Sequence, residues 1–284
     1  MTPLPPSVVY TPGSQVRSPL SLLAAIWRDM IESHELSWRL FVRDVSAQYR
    51  QSLLGVVWAF VPPIVTSLIF VVLQSRNVVD FGEVDIPYPV YVLVGALLWQ
   101  MFVEAINAPL KTVTAARPML AKINFPREAL VVSSFYMVLY GVAMKLVVIL
   151  AVLLIFGVPL HWTLPAALGP ILILVLCGLC LGLLVTPFGM LYGDVASGLP
   201  VATQVLFFVT PVVYVPPQTF PFSLIGTINP VSPPLVASRD LLTKGVLTNP
   251  EALAGLTGVV LVGLAVALVI YRAAMPILIE RTSA

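Results

Sequence analysis

The chain has 284 residues, 59% of them hydrophobic and 10% charged, with a mean hydropathy of +0.99. Soluble domains carry about 25% charged residues, so this composition excludes a water-soluble globule and points to an all-α integral membrane protein. The formal net charge of +2 is too small to imply a nucleic-acid partner.

In chain order, residues 1–20 are rich in Pro and Ser and read as a flexible tail. Residues 21–50 follow as an amphipathic helix. Leu22, Leu23, Ile26, Trp27, Met30 and Ile31 recur at helical spacing among Arg28, Asp29 and Glu32. With Trp27 and Trp38, such a helix either lies along the membrane interface or packs on the end of a bundle, and the two arrangements are compatible. The first long apolar run begins only near Ser52, behind a charged segment. A secretory signal places its apolar region earlier, so the N-terminus is expected to stay in the cytoplasm.

Six apolar runs then read as membrane helices of about 20 residues each, over roughly 54–73, 89–107, 129–156, 165–190, 198–215 and 252–274. Pro62 and Pro63 predict a kink in the first. The third is long enough to tilt or to extend into water. With both ends on one side, eleven Lys and Arg residues fall on that side. Only Arg76, Arg239 and Lys244 fall on the other. Positive charge stays cytoplasmic, which predicts both termini inside.

Two ionisable residues lie within spans, Glu104 and Lys145, and such residues carry a functional expectation by default. Glu104 falls toward the inner end of the second run and Lys145 toward the outer half of the third. That placement predicts that they do not pair. Cys177 and Cys180 form a CxxC inside hydrocarbon, where a thiolate is disfavoured and zinc would need further ligands; they read as small helix residues. Gly178 and Gly182 form a GxxxG suited to close helix packing, within the subunit or between subunits.

Two further segments are neither span nor simple loop. Residues 215–250 carry Pro216, Pro217, Pro221, Pro230, Pro233 and Pro234, with apolar stretches at 220–228 and 235–242 too short to cross a bilayer. They read either as re-entrant half-helices at the mouth of a pathway or as a plain outer cap. In 117–128, Pro118 suits the first turn of a helix and Pro126 disfavours helix at Phe125. Glu128 stands where a following helix favours an acid. This segment is either a short helix presenting Phe125 or a solvated basic loop.

The chain contains no GxxxxGK[ST] phosphate loop, no HExxH and no GxSxG. An integral membrane enzyme acting on lipid-linked sugars would need an interfacial cluster of carboxylates or histidines, and His34 and His161 do not supply one. A secondary transporter concentrates carboxylates near the midplane, which these spans do not. No enzyme activity, cofactor or metal is expected in this chain; its energy source lies in another polypeptide.

Five short motifs occur in order between about residues 43 and 242. They are Arg43-Asp44; Tyr49-Arg50-Gln51-Ser52-Leu53-Leu54-Gly55-Val56-Val57-Trp58 with Pro62; Ile123-Asn124-Phe125-Pro126-Arg127-Glu128; Gly193-Asp194-Val195 with Thr210-Pro211-Val212-Val213-Tyr214; and Asn229-Pro230-Val231-Ser232-Pro233. The ordered set resembles the ABC-2 type permeases of polysaccharide export, those for O-antigen, capsule and teichoic acid. Gln48 departs from the basic residue frequent in that family, and Asp194 follows Gly193 in place of one.

The resemblance implies a homodimer in the bacterial inner membrane with two copies of a separate ATPase that binds ATP and Mg. It implies a coupling helix at 117–128, with Leu120, Lys122, Asn124, Phe125, Pro126, Arg127 and Glu128 facing the ATPase. The N-terminal helix, with Trp27, Trp38, Arg43 and Asp44, becomes an interface helix. Pro216, Pro217, Asn229, Pro230 and Arg239 fall in a periplasmic gate. A channel between two copies of the first and fifth spans is expected to carry a lipid-linked polysaccharide, O-antigen first, with a capsular polysaccharide, teichoic acid, drug or lipid as alternatives. Trp58, Phe60, Phe207, Phe208 and Tyr214 are the path candidates, because sugar rings stack on aromatic faces and slide where fixed charges are few.

Overall fold

In the computed structural model, the described residues are 19–49, 57, 58, 60–76, 84–120, 125–216, 226 and 228–283, and they are helical throughout their regular structure. Two helices come first, α1 (Pro19–Glu32) and α2 (His34–Tyr49), then α3 (Val61–Ser75), α4 (Tyr88–Leu120) and α5 (Glu128–Ile155). A single 3-10 turn at Leu164–Ala167 leads into α6 (Leu168–Leu191), followed by α7 (Gly193–Val209), α8 (Ser232–Thr243) and α9 (Pro250–Ser283).

Four segments are long and apolar enough to cross a membrane: Tyr88–Leu120, Glu128–Ile155, Leu164–Leu191 and Pro250–Leu278. The expected first and fifth spans are shorter, 15 and 17 residues. At 1.5 Å per residue they reach about 22 and 26 Å. Pro62 and Pro63 do not kink α3. They sit in its first turn, where a missing N–H has no partner to lose.

α4 is the axis. Within its most apolar window 72% of residues are buried, against 11% for α9. The reason lies in what faces it. α6 brings Gly178 and Gly182 against the α4 backbone, where an added Cβ would collide with the carbonyls of Phe102 and Ile106. The GxxxG is thus spent inside the subunit, holding α4 and α6 at backbone contact. The main core gathers Val94, Leu98, Met101 and Phe102 of α4 with Ile149, Leu153, Leu174 and Val212 around them. Burial of such side chains stabilises by about 1.5–3 kcal/mol each against water, but in lipid the gain comes from packing contacts.

α1 and α2 pack on α5, and α1 also meets α9. We call that end of the bundle the base and the opposite end the rim. α4 descends from rim to base and α5 climbs back. The polar face expected on one long N-terminal helix is split by a turn at Ser33, whose hydroxyl and that of Ser37 bond to carbonyls one turn back. Ile26, Ser37 and Leu40 are buried on the bundle while Trp27 (68% exposed) and Trp38 (52%) remain open. The two helices therefore pack on the bundle and still present an apolar strip outward.

Candidate functional site

Three anchored layers lie along α4. At the base, α5 begins at Glu128, directly after Arg127. Arg272 of α9 donates from Nη1 to Glu128 Oε1 at 2.9 Å and forms an ion pair with Asp29 Oδ2 of α1 at 2.7 Å. One guanidinium thus ties the first helix, the start of α5 and the last helix. Tyr271 lies beside it, fully buried, with its hydroxyl reaching the Arg127 carbonyl at 3.5 Å. Burial holds the Arg272 pairs away from water, where such charge-assisted bonds are worth more than surface pairs.

The segment expected as a separate coupling helix divides differently. Pro118 does not open a new helix; α4 continues through it and ends at Leu120. Lacking an N–H, Pro118 leaves the Thr114 carbonyl without its helical partner, and α4 ends two residues later. Lys122 and Asn124 lie outside the described residues. Leu120 and Phe125 are half-buried against a base core of Val113, Leu130, Tyr271 and Met275, so Phe125 is partly packed into the bundle as well as facing outward. Pro126 is exposed and Glu128 buried.

Midway, Lys145 Nζ donates to Glu104 Oε2 at 2.6 Å. This overturns the expectation of opposite depths. The expected second span stopped near residue 107, which put Glu104 at its inner end; α4 runs on to Leu120. Glu104 is therefore 16 residues above the base end of α4 and Lys145 is 17 above the start of α5. In antiparallel neighbours those offsets are the same height, about 25 Å. Gly141 leaves the room, since a Cβ there would meet the Glu104 carboxylate.

At the rim, Arg239 of α8 is 1% exposed. Its Nη1 donates to the carbonyls of Pro211 and Val212, 3.1 Å each, and its guanidinium carbon lies 3.8 Å from the Tyr91 ring centre. The turn that follows α7 is fixed again by Tyr88 Oη donating to Val213 O (3.0 Å) and Tyr91 Oη to Tyr214 O (2.9 Å). Gly95 lets Val212 approach, because a Cβ there would strike its carbonyl. Asn229 closes the turn from the other side, donating to Thr210 Oγ1 at 2.8 Å and accepting from Val231 N at 3.0 Å. Pro230 is exposed, Pro216 is half-buried, and Pro217 lies outside the described residues. Outside the bundle, Lys244 bonds Asp85 at 2.8 Å, and that hydrogen bond holds the Asp85 carboxyl below its usual range.

The five path candidates separate into two groups. Phe207 stands half-buried between Phe70 and Trp99 and also meets Phe208 edge-on at 5.4 Å. Tyr214 is half-buried and bonds back to Phe208 O and Val209 O. Phe60 is partly packed on the core. Trp58 and Phe208 are both 59% exposed. At the other end Trp38 contacts Phe41 and Tyr136, and the exposed Arg43 pairs with its half-buried neighbour Asp44 at 2.7 Å. Asp29, Tyr91, Gly95 and Arg272 were not singled out by sequence reasoning. A glycine inside an apolar helix is a signal of close approach, and Gly95 was such a signal.

A family model described as ABC-2 type transporter matches residues 35–243. The chain belongs to the ABC-2 type transporter family. It is 25% identical over 243 residues to the O-antigen export system permease protein RfbA of Myxococcus xanthus, covering 82% of this chain and 89% of that protein. A protein of the same name from Klebsiella pneumoniae is 25% identical over 238 residues, covering 79% of this chain and 87% of its own length. In this ABC-2 chain the matched segment opens in α2 and closes with the last turn of α8. It contains both ends of the rim anchor and the Glu104–Lys145 pair. Asp29 and Arg272, which clamp the base, lie outside it.

Proposed function

We propose that this chain is the membrane subunit of an ATP-driven exporter that moves a lipid-linked polysaccharide, O-antigen first among them, from cytoplasm to periplasm. Two copies form the channel, and two copies of a separate ATPase drive it from the base, which faces the cytoplasm with both termini. The observation that carries this reading is the exposed apolar surface of α3 and α7. Phe70 and Phe207 join the two helices at 6.2 Å. Beyond that contact, Ile64, Leu68, Ile69, Val201, Val205 and Phe208 are about half exposed or more. Its only charge in either helix is Asp194, in the first turn of α7. A face without charge and with aromatics suits a second copy across a sugar polymer that slides without tight binding. The similarity to proteins named O-antigen export permeases over about four-fifths of the chain supports the choice of cargo.

In this reading the 117–128 segment, with Leu120, Lys122, Asn124, Phe125, Pro126 and Arg127, seats in the ATPase, and the buried Glu128 ties it to the bundle through Arg272. Its motion reaches α1 and α9 through Arg272. Asn229, Pro230 and Arg239 hold the periplasmic gate through the 210–214 turn. The test is surface polysaccharide in cells lacking their own O-antigen permease. Those cells receive this chain together with a nucleotide-binding ATPase subunit of an O-antigen exporter. Surface display of the host's O-antigen supports the reading, as does its loss with Phe125→Asp and Arg127→Glu together with loss of ATPase co-purification. Display of capsule or teichoic polymer alone would reassign the cargo. Full activity and unaltered ATPase capture in the Phe125→Asp, Arg127→Glu variant would remove the coupling role.

A further inference from the structure

A cavity of about 190 Å³, the space of roughly six waters, opens between α4 and α5 at the level where α2 ends and α3 begins. Its polar lining includes Gln48, Glu104, Asn107, Lys111 and Lys145, with the hydroxyls of Thr112 and Tyr140. Phe60, Ala108, Met137 and Met144 supply an apolar wall. Lys145 is 1% exposed, and an ammonium has three N–H donors. One goes to Glu104 Oε2 at 2.6 Å and one to Gly141 O at 3.5 Å; no described residue takes the third. Lys111 is exposed and has no carboxylate partner among the described residues. Between Gln48 and Phe60 the chain carries Arg50 and no acid.

We propose that this cavity binds the phosphoryl headgroup of a lipid from the base-side leaflet. Two lysines face it and one carboxylate offsets one of them, so the lining carries a net positive charge. That charge favours an anionic phosphate ester over a neutral sugar. The buried Lys145 supplies a fixed donor, Lys111 a second cation at the mouth, and the side chains of Asn107 and Gln48 further polar contacts. Phosphate oxygens accept such charge-assisted bonds well. The methionine and phenylalanine wall meets the start of the hydrocarbon chain, and methionine adapts to more than one chain shape. Gln48 at the end of α2, the polar helix at the base, and the exposed Lys111 put the mouth of the cavity on its base side, with Lys145 deeper. The same chemistry is offered by a bulk acidic phospholipid and by an isoprenoid phosphate.

The test is native mass spectrometry of the full chain in detergent, titrated with phosphatidylglycerol, undecaprenyl phosphate or zwitterionic phosphatidylcholine. Wild type should retain one equivalent of an anionic lipid and lose phosphatidylcholine. Lys111→Ala, on an exposed position that folding does not need, should weaken retention about tenfold. The volume-preserving double variant Glu104→Gln, Lys145→Met should weaken it further with an unchanged melting temperature. Tighter retention of phosphatidylglycerol or of the isoprenoid phosphate assigns the source. Retention unchanged in both variants, equal retention of phosphatidylcholine, or displacement of the lipid by millimolar inorganic phosphate overturns the proposal. Binding is read without ATP or transport, so its failure leaves the export reading standing and the reverse also holds.

Discussion

Arg272 and Glu128 are 144 residues apart in sequence and 2.9 Å apart in the structure, and the same guanidinium nitrogen holds Asp29. Arg272→Gln removes a cation that two carboxylates share, leaving them to repel each other beside a buried tyrosine. The expected cost is about 2–4 kcal/mol, read as a lower melting midpoint. In the exporter complex proposed above, ATP hydrolysis should continue while export per ATP falls, since the tie between α1, α5 and α9 is what is lost. Asp29→Asn should be milder than Glu128→Gln, because the Asp29 side chain is 19% exposed and Glu128 is 10%.

Arg239→Lys is expected to be damaging in spite of its unchanged charge. A lysine lacks the planar fork that spans the Pro211 and Val212 carbonyls while lying on the Tyr91 ring. Losing one bond and the ring contact costs about 1–3 kcal/mol. Tyr91→Phe removes only the hydroxyl bond to Tyr214 O and should cost about 1 kcal/mol. Thermal melts of the two variants, with surface polysaccharide measured alongside, check the order.

The two members of the mid-height ion pair should not be equivalent. The Lys145 side chain is 2% exposed and that of Glu104 36%. Glu104→Gln strands an ammonium away from solvent, a loss of up to about 3–5 kcal/mol. Lys145→Met strands a carboxylate that water still reaches, so less is lost. The double variant should recover most of both losses. A double-mutant cycle by denaturant titration measures this directly, and a Lys145→Met more harmful than Glu104→Gln would contradict it.

In the seam between α4 and α6 there is no room for a side chain at Gly182, where a Cβ would strike the Ile106 carbonyl. Gly182→Val should therefore push the helices apart at more than the 1–3 kcal/mol of ordinary overpacking and yield little folded protein in the membrane. Gly258→Ala, on α9 with open space around it, should be neutral or stabilise by up to about 1 kcal/mol. Expression and melting of both variants form one internal comparison.

Much of this was legible in the residues because it rests on periodicity and composition. The apolar runs, the amphipathic N-terminal segment, the close packing of Gly178 and Gly182 and the membership in the ABC-2 family all follow from local pattern. What was hidden depends on helix length past the hydrocarbon. The second run looked complete near residue 107 because Lys111 and Arg117 break its hydropathy, yet helical hydrogen bonding ignores hydropathy and carried α4 to Leu120. That single extension moved Glu104 to the height of Lys145 and absorbed Pro118. The partners of Arg239 and Arg272 were illegible for a different reason. Each bridges elements far apart in sequence, and no local pattern records where a long side chain ends.

The shortness of α3 and α7 has a mechanical consequence for the surrounding bilayer. Helices of about 22 and 26 Å stand against a hydrocarbon layer of about 30 Å, beside α4, α5 and α9 that exceed it. Lipid tails compress next to the short pair at a cost of fractions of a kcal/mol per Å. The bilayer is thus thinnest around the face formed by α3 and α7. Thickening the membrane with longer acyl chains strains that face first.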